Sequence, residues 1–117
     1  MAKNYLSGGV RLSVTLAAAR SSGDLEKAAK TTGIVKKDGA IGDVVEMQNE
    51  GEWSVPKATG AGSAGTKGAI AYVTDDAGTY KVTGDATGND PCGMFTADVA
   101  DGGTTATVKL AGGPWGL

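Results

Sequence analysis

Glycine is the feature that most restricts the fold of this chain. Twenty of the 117 residues are glycine, and they follow no three-residue period, so the sequence does not have the collagen pattern. Glycine weakens the interior of helices and strands, but it supplies the backbone angles that tight turns require. This density therefore predicts many turns and little long helix. The length predicts one domain with one core, large enough to fold without disulfides or metal.

Apolar and polar residues alternate in several short segments, as in strands with one buried and one wet face. In Thr105–Leu110, for example, Ala106, Val108 and Leu110 share one face. The other predicted strands are Arg11–Leu16, Ala69–Thr74, Thr79–Val82, Met94–Val99 and a longer run over Val44–Val55.

The longer run places four apolar residues on one face, namely Val45, Met47, Trp53 and Val55. Gly51 interrupts it, which indicates a turn, a bulge or a close backbone approach. Trp53 is interpreted as a core residue, because it alternates in register with Val45, Met47 and Val55.

Turn-forming residues separate the predicted strands, and Asp76-Ala77-Gly78 is typical of a hairpin loop. The sequence therefore predicts an all-β fold, a small β-barrel or sandwich of short antiparallel strands with Gly-rich loops. Residues 24–30 fit two interpretations. They could form a two-turn helix capped by Ser22 or Asp24, or a further strand.

The two ends differ from the middle. We divide the chain into an N-terminal arm (1–10), a β-barrel domain (11–110) and a C-terminal tail (111–117). Ser7-Gly8-Gly9 predicts a flexible hinge, and the tail carries Trp115 among glycines. The ends are either frayed termini or flexible arms that order on a partner, with Tyr5 or Trp115 as an anchor.

Composition argues against several functions. Histidine is absent, which removes the commonest general base and metal ligand. The single cysteine, Cys92, allows no intrachain disulfide and is interpreted as a buried bystander.

A formal charge of −2 with scattered basic residues argues against nucleic acid as a partner, and no apolar run has the length of a membrane span. The N-terminus lacks a signal-peptide pattern, so synthesis in the cytoplasm is expected.

Three motifs receive structural interpretations. Gly60–Gly65 matches the dinucleotide pattern G-x-G-x-x-G, but no helical periodicity follows it, so we expect a flexible loop. The acidic pairs Asp75-Asp76 and Asp98…Asp101 lack the closing glutamate of a calcium loop and are interpreted as turn residues. Glu50 and Glu52 lie on the polar face of one strand, unlike glycosidase carboxylates. We predict no catalytic residue, no cofactor and no metal.

The order of segments along the chain resembles a family of small phage proteins associated with capsid decoration, also called cement proteins. The resemblance covers nearly the whole chain. It is carried by Met1–Tyr5, Ser22-Gly23-Asp24, Thr32–Val35, Ala40–Val45, Glu50–Lys57, Ala64–Gly68 with Tyr72, and Thr104–Leu110.

The resemblance implies a compact β-barrel that oligomerises and sits on the outside of a capsid lattice, with the major capsid protein as its partner. The protein would thus belong to the virion and be made in the host cytoplasm. A three-fold lattice site would favour a homotrimer. An N-terminal arm could add a strand to a capsid sheet edge. The predicted contact residues are Lys3, Asn4, Tyr5, Leu6 and Trp115.

The sequence is also compatible with other classes of function. One is a head-fibre or adhesive module that binds carbohydrate or a cell surface, although six aromatic residues are few for such a site. Another is a different head or tail component of the virion. An enzyme is a third alternative, which a turnover lost on mutation of Glu50 or Glu52 would favour.

Overall fold

The computed structural model describes residues 11–28, 31–48 and 50–111. In these residues the fold is all-β, as predicted, with nine strands in two sheets. The described part contains no helix long and apolar enough to cross a membrane. The strands are β1 (Arg11–Thr15), β2 (Leu25–Ala28), β3 (Thr31–Val35), β4 (Val44–Gln48), β5 (Glu50–Pro56), β6 (Ile70–Asp76), β7 (Thr79–Thr83), β8 (Asp90–Phe95) and β9 (Thr105–Ala111).

Both sheets are antiparallel. The first sheet has the order β1-β4-β3-β2, and the second sheet has the order β5-β9-β8-β6-β7. The two outer strands of the second sheet, β5 and β7, approach each other just beyond the end of β5. There Lys57 and Val82 form a parallel bridge, and Ala58 N donates to Val82 O at 2.9 Å. The second sheet therefore curls towards a small barrel.

Two apolar clusters form the core. The larger cluster joins the sheets, because Leu25 and Ile34 of the first sheet pack with Phe95 and Val108 of the second. The smaller cluster belongs to the first sheet and its connections and contains Val14, Leu16, Val35, Val45 and Met47. Ile34 and Val35 are neighbours on β3 and point into different clusters, as period-two side chains must. This explains why every residue of β3 is buried.

The alternation predicted for Thr105–Leu110 is confirmed, since Ala106, Val108 and Leu110 are buried. The single run predicted over Val44–Val55 is wrong. It is two strands, β4 and β5, in different sheets. Val45 and Met47 enter the smaller cluster, whereas Val55 enters the larger one and Trp53 packs half-buried against it.

Gly51 lies inside β5 rather than at a turn. Its φ is 109°, and a Cβ there would lie 3.2 Å from Trp53 Nε1. The ladder between β5 and β9 runs through Gly51 without a bulge, and the group that comes close to Gly51 is the Trp53 side chain, not another stretch of backbone. Substitution of Gly51 by another residue would both strain the backbone and press on the indole.

The segment that fitted either a helix or a strand is a strand over Leu25–Ala28. Its side chains connect the sheets, because Leu25 enters the larger cluster and Lys27 Nζ pairs with Asp90 Oδ2 at 2.5 Å. Residues 29 and 30 lie outside the described part. Core packing of Leu25 thus decides between the two local preferences.

The strand predicted at Met94–Val99 is displaced, since β8 is Asp90–Phe95. Asp90 and Pro91 are the first two residues of this strand. Proline is tolerated here because the register between β8 and β6 shifts at Ala71/Tyr72, opposite Pro91.

The hairpin predicted at Asp76–Gly78 is confirmed. Ala77 and Gly78 have φ values of 55° and 91°, as a two-residue hairpin turn requires.

Cys92 is buried in β8, so its interpretation as a buried residue is confirmed. Burial raises the pKa of its thiol to about 12. Because thiol reagents attack the thiolate, the native protein should not react with them at pH 8, whereas protein unfolded in denaturant should react fully. A time course of thiol titration tests this, and rapid stoichiometric labelling of the native protein would contradict it.

Candidate functional site

The most elaborate polar cluster surrounds Lys57, which follows β5 and is only 1 % exposed. Its Nζ donates to Ala58 O (2.8 Å), Ser63 Oγ (3.0 Å), Asp101 O (3.2 Å) and Gly103 O (3.4 Å). Burial lowers the pKa of Lys57, and the Asp101 carboxylate opposes that shift. Every partner is an acceptor, which is the environment of an ammonium group.

This cluster explains the glycine-rich motif at residues 60–65. The segment is a loop, as predicted, and no helix follows it up to residue 111, where the described part ends. Ser63 accepts from Lys57 and donates its own hydroxyl to Gly60 O at 2.6 Å. The loop therefore folds around an internal ammonium and not around a phosphate, and the buried amine is closed to a substrate.

Of the acidic residues singled out in the sequence, Asp75 holds its own hairpin turn, whereas Asp98 and Asp101 each bind a backbone amide of a distant loop, at Lys67 and Ala64. Asp75 Oδ1 accepts from Gly78 N, Asp98 Oδ1 from Lys67 N, and Asp101 Oδ1 from Ala64 N, each at 2.8–2.9 Å. Glu50 and Glu52 are exposed on β5. Within the described ranges no group of three or more His, Cys, Asp or Glu side chains could hold a metal ion.

A small cleft opens where the two sheets meet beside Trp53. It has a volume of about 90 Å³ and is lined by Ser22, Gly23, Ile34, Val35, Lys36 and Trp53. The Lys36 ammonium lies 6.0 Å from the centre of the Trp53 ring and donates to Gln48 Oε1 at 3.1 Å. A cleft of this volume accommodates a single small side chain, well below the several hundred Å³ of typical ligand pockets.

Four large apolar side chains are exposed among the described residues, two close together in sequence and two on neighbouring strands. Ile41 is 71 % exposed and lies on the turn before β4. Val44 is 66 % exposed and is the first residue of β4. Ile70 (52 %) and Met94 (40 %) lie directly opposite each other on β6 and β8. These four residues are the candidates for contact with another protein, because an exposed large apolar side chain loses unfavourable hydration on binding.

The contact residues predicted from the sequence, Lys3, Asn4, Tyr5, Leu6 and Trp115, lie outside the described residues, so their role stays a prediction. The two exposed pairs were not predicted. Ile70 stands in the apolar run Ile70–Val73, where alternation does not show which side chains point outwards. The sequence pattern starts the strand at Met94, four residues after its true start at Asp90, and so does not show that Met94 points outwards.

A family model described as phage cement protein matches residues 6–110, most of the chain. No curated protein matches, and neither does any solved structure.

Proposed function

Because the chain belongs to the phage cement protein family, we propose that it binds the outer surface of a tailed-phage capsid and stabilises the shell. The family match over residues 6–110 is the observation that carries this proposal. The partner would be the major capsid protein, and the protein would act on the exterior of the virion after synthesis in the host cytoplasm.

The described architecture supports a binding role. Cementing a shell needs a rigid scaffold and a complementary surface, and no bond has to be made or broken. In the described residues the two side chains with a shifted pKa, Lys57 and Cys92, are both buried, so neither is poised to meet a substrate. We propose that the protein is not an enzyme.

Modest contacts are enough for this function. On a lattice each bound subunit can touch more than one capsid subunit, or be linked to others that do, so weak contacts add up. A homotrimer on a three-fold lattice site would use this effect fully. The N-terminal arm, Lys3 to Leu6, would add a further contact by pairing with an exposed sheet edge of the capsid protein, and Trp115 would add another at the opposite end of the chain.

The proposal is tested by co-sedimentation of the purified protein with phage heads that lack it, followed by heating of the heads. We expect saturable binding at a fixed ratio to capsid subunits and rupture of the heads at a higher temperature. A variant without residues 1–6 should bind less tightly if the arm contributes. Absence of binding to mature heads would refute capsid decoration and would favour a head-fibre or tail component instead.

A further inference from the structure

One row of exposed side chains crosses the outer face of the second sheet. Glu52 on β5 lies opposite Lys109 on β9, Lys109 lies opposite Met94 on β8, and Met94 lies opposite Ile70 on β6. Strands lie about 4.8 Å apart, so this row is about 15 Å long. One end of the row is charged and the other end is apolar.

The apolar end is held rigidly by the core beneath it. Ile70 precedes Ala71, and Met94 stands between Gly93 and Phe95, all three of which are buried. Ile70 of β6 is paired with Met94 of β8, and Met94 is also paired with Lys109 of β9. Little backbone freedom is therefore lost when a partner covers Ile70 and Met94, which favours them as anchors of an interface.

The surroundings of this pair have the composition of an interface centre. In the next row Tyr72 lies opposite Pro91, and both are half-buried. Protein interfaces are enriched in aromatic residues and methionine and depleted of charges at their centres. Ile41 and Val44 lack such surroundings. Ile41 lies on a turn, next to Gly42, whose φ is 89°.

We propose that the outer face of the second sheet, centred on Ile70, Met94, Tyr72 and Pro91, is the surface that contacts the capsid subunit. We name it the β6–β8 face. This inference rests on the proposed function and adds which side of the molecule meets the shell. The complementary capsid surface is apolar and uncharged opposite Ile70 and Met94.

The area of the face favours the capsid over a second copy of this chain. Five strands of five to seven residues cover roughly 20 Å by 20 Å, or about 400 Å² on each partner. A stable pair of proteins commonly buries about 1,200–2,000 Å² in total, more than two such faces supply, and the curl of the sheet reduces contact further. A contact of this size is weak alone and becomes effective when repeated over a lattice.

Two matched sets of variants test the inference. Met94→Asp and Ile70→Asp place a charge on the β6–β8 face, and Ile41→Asp and Val44→Asp place the same charge on the other exposed pair. Binding is titrated on heads that lack the protein. We expect Met94→Asp and Ile70→Asp to weaken binding at least tenfold, the effect of losing an interface anchor, and the control variants to stay within twofold of the wild type.

A second measurement uses the unchanged protein and so does not depend on a variant folding. Peroxide oxidises exposed methionine, and Met47 is fully buried, so Met94 is the methionine to follow in the described part. Mass spectrometry of the Met94 peptide should show oxidation at least fivefold slower when the protein is bound to heads.

The outcomes separate the two proposals. If the wild type binds heads but Met94→Asp and Ile70→Asp bind equally well, or Met94 oxidises at an unchanged rate, the inference is wrong and the proposed function stands. A loss confined to Ile41→Asp and Val44→Asp also overturns it. A Met94→Asp variant that changes the oligomeric state while heads still bind would assign the face to a second copy. If the wild type does not bind heads, both proposals fall.

Discussion

Replacement of Lys57 by methionine is expected to lower the free energy of unfolding by about 3 kcal/mol, because a buried acceptor left without a donor costs about 1–3 kcal/mol and more than one acceptor is affected. Asp101 O keeps two donors, Gly60 N and Ser63 Oγ, so not all four acceptors are lost. The ammonium is shared among Ala58 O, Ser63 Oγ, Asp101 O and Gly103 O. Methionine has a similar shape but donates nothing. Urea unfolding of the variant and the wild type, monitored by tryptophan fluorescence, measures the change in the free energy of unfolding.

The lowered pKa of Lys57 shows that burial of its charge is itself unfavourable, so the expected loss comes from the hydrogen bonds and not from the charge. Lys81→Met is the matched control. Lys81 Nζ pairs with Asp76 Oδ2 at 2.9 Å on the surface, and loss of such a pair should change stability by less than about 1 kcal/mol. If Lys57→Met were as stable as the wild type, the cost of burying the charge would outweigh the hydrogen bonds.

Replacement of Gly93 by alanine is expected to lower the free energy of unfolding by about 3 kcal/mol, the upper end of what overpacking a core costs. Gly93 lies on β8 opposite Leu110 of β9. A Cβ at this position would overlap the carbonyl oxygen of Lys109 and would lie 3.1 Å from the Cα of Leu110. These are backbone atoms, so relief requires the two strands to move apart.

Gly102→Ala is the control for this substitution. Gly102 is exposed, has nothing within 4 Å of an added Cβ and does not have a positive φ. Its substitution should therefore change stability by less than about 0.5 kcal/mol. Thermal unfolding of both variants checks the difference. Equal melting temperatures for Gly93→Ala and the wild type would mean that β8 and β9 are not packed as described.

Much of the fold follows from local pattern. The period-two segments near Arg11, Thr79 and Thr105 are strands because one face of each is apolar, and the hairpin at Ala77-Gly78 follows from its turn residues. The errors occur where local pattern is ambiguous. The run from Val44 to Val55 keeps one phase of alternation across a change of sheet, and only the pairing of β4 with β1 and of β5 with β9 reveals the change.

The candidate contact surface was less predictable. An exposed pair such as Ile70 and Met94 arises from the register between two strands, and register depends on the whole sheet. The Lys57 cluster was also not predictable, because Asp101 approaches from 44 residues away. In a sequence such a lysine looks like any exposed lysine, since nothing local indicates that two loops will enclose it.

The pairing of β5 with β9 also has a consequence for how fast the protein folds. Glu50–Pro56 finds its partner only at Thr105–Ala111, and β9 lies between β5 and β8 in the second sheet. Pairing β5 with β9 closes a long loop of chain, and the entropy lost in that closure opposes the transition state. Folding times in the millisecond-to-second range are typical of β proteins with such distant pairings. A fragment that lacked β9 would leave β5 and β8 each with an unpaired edge, so newly made chains are most prone to aggregate before this strand joins the sheet.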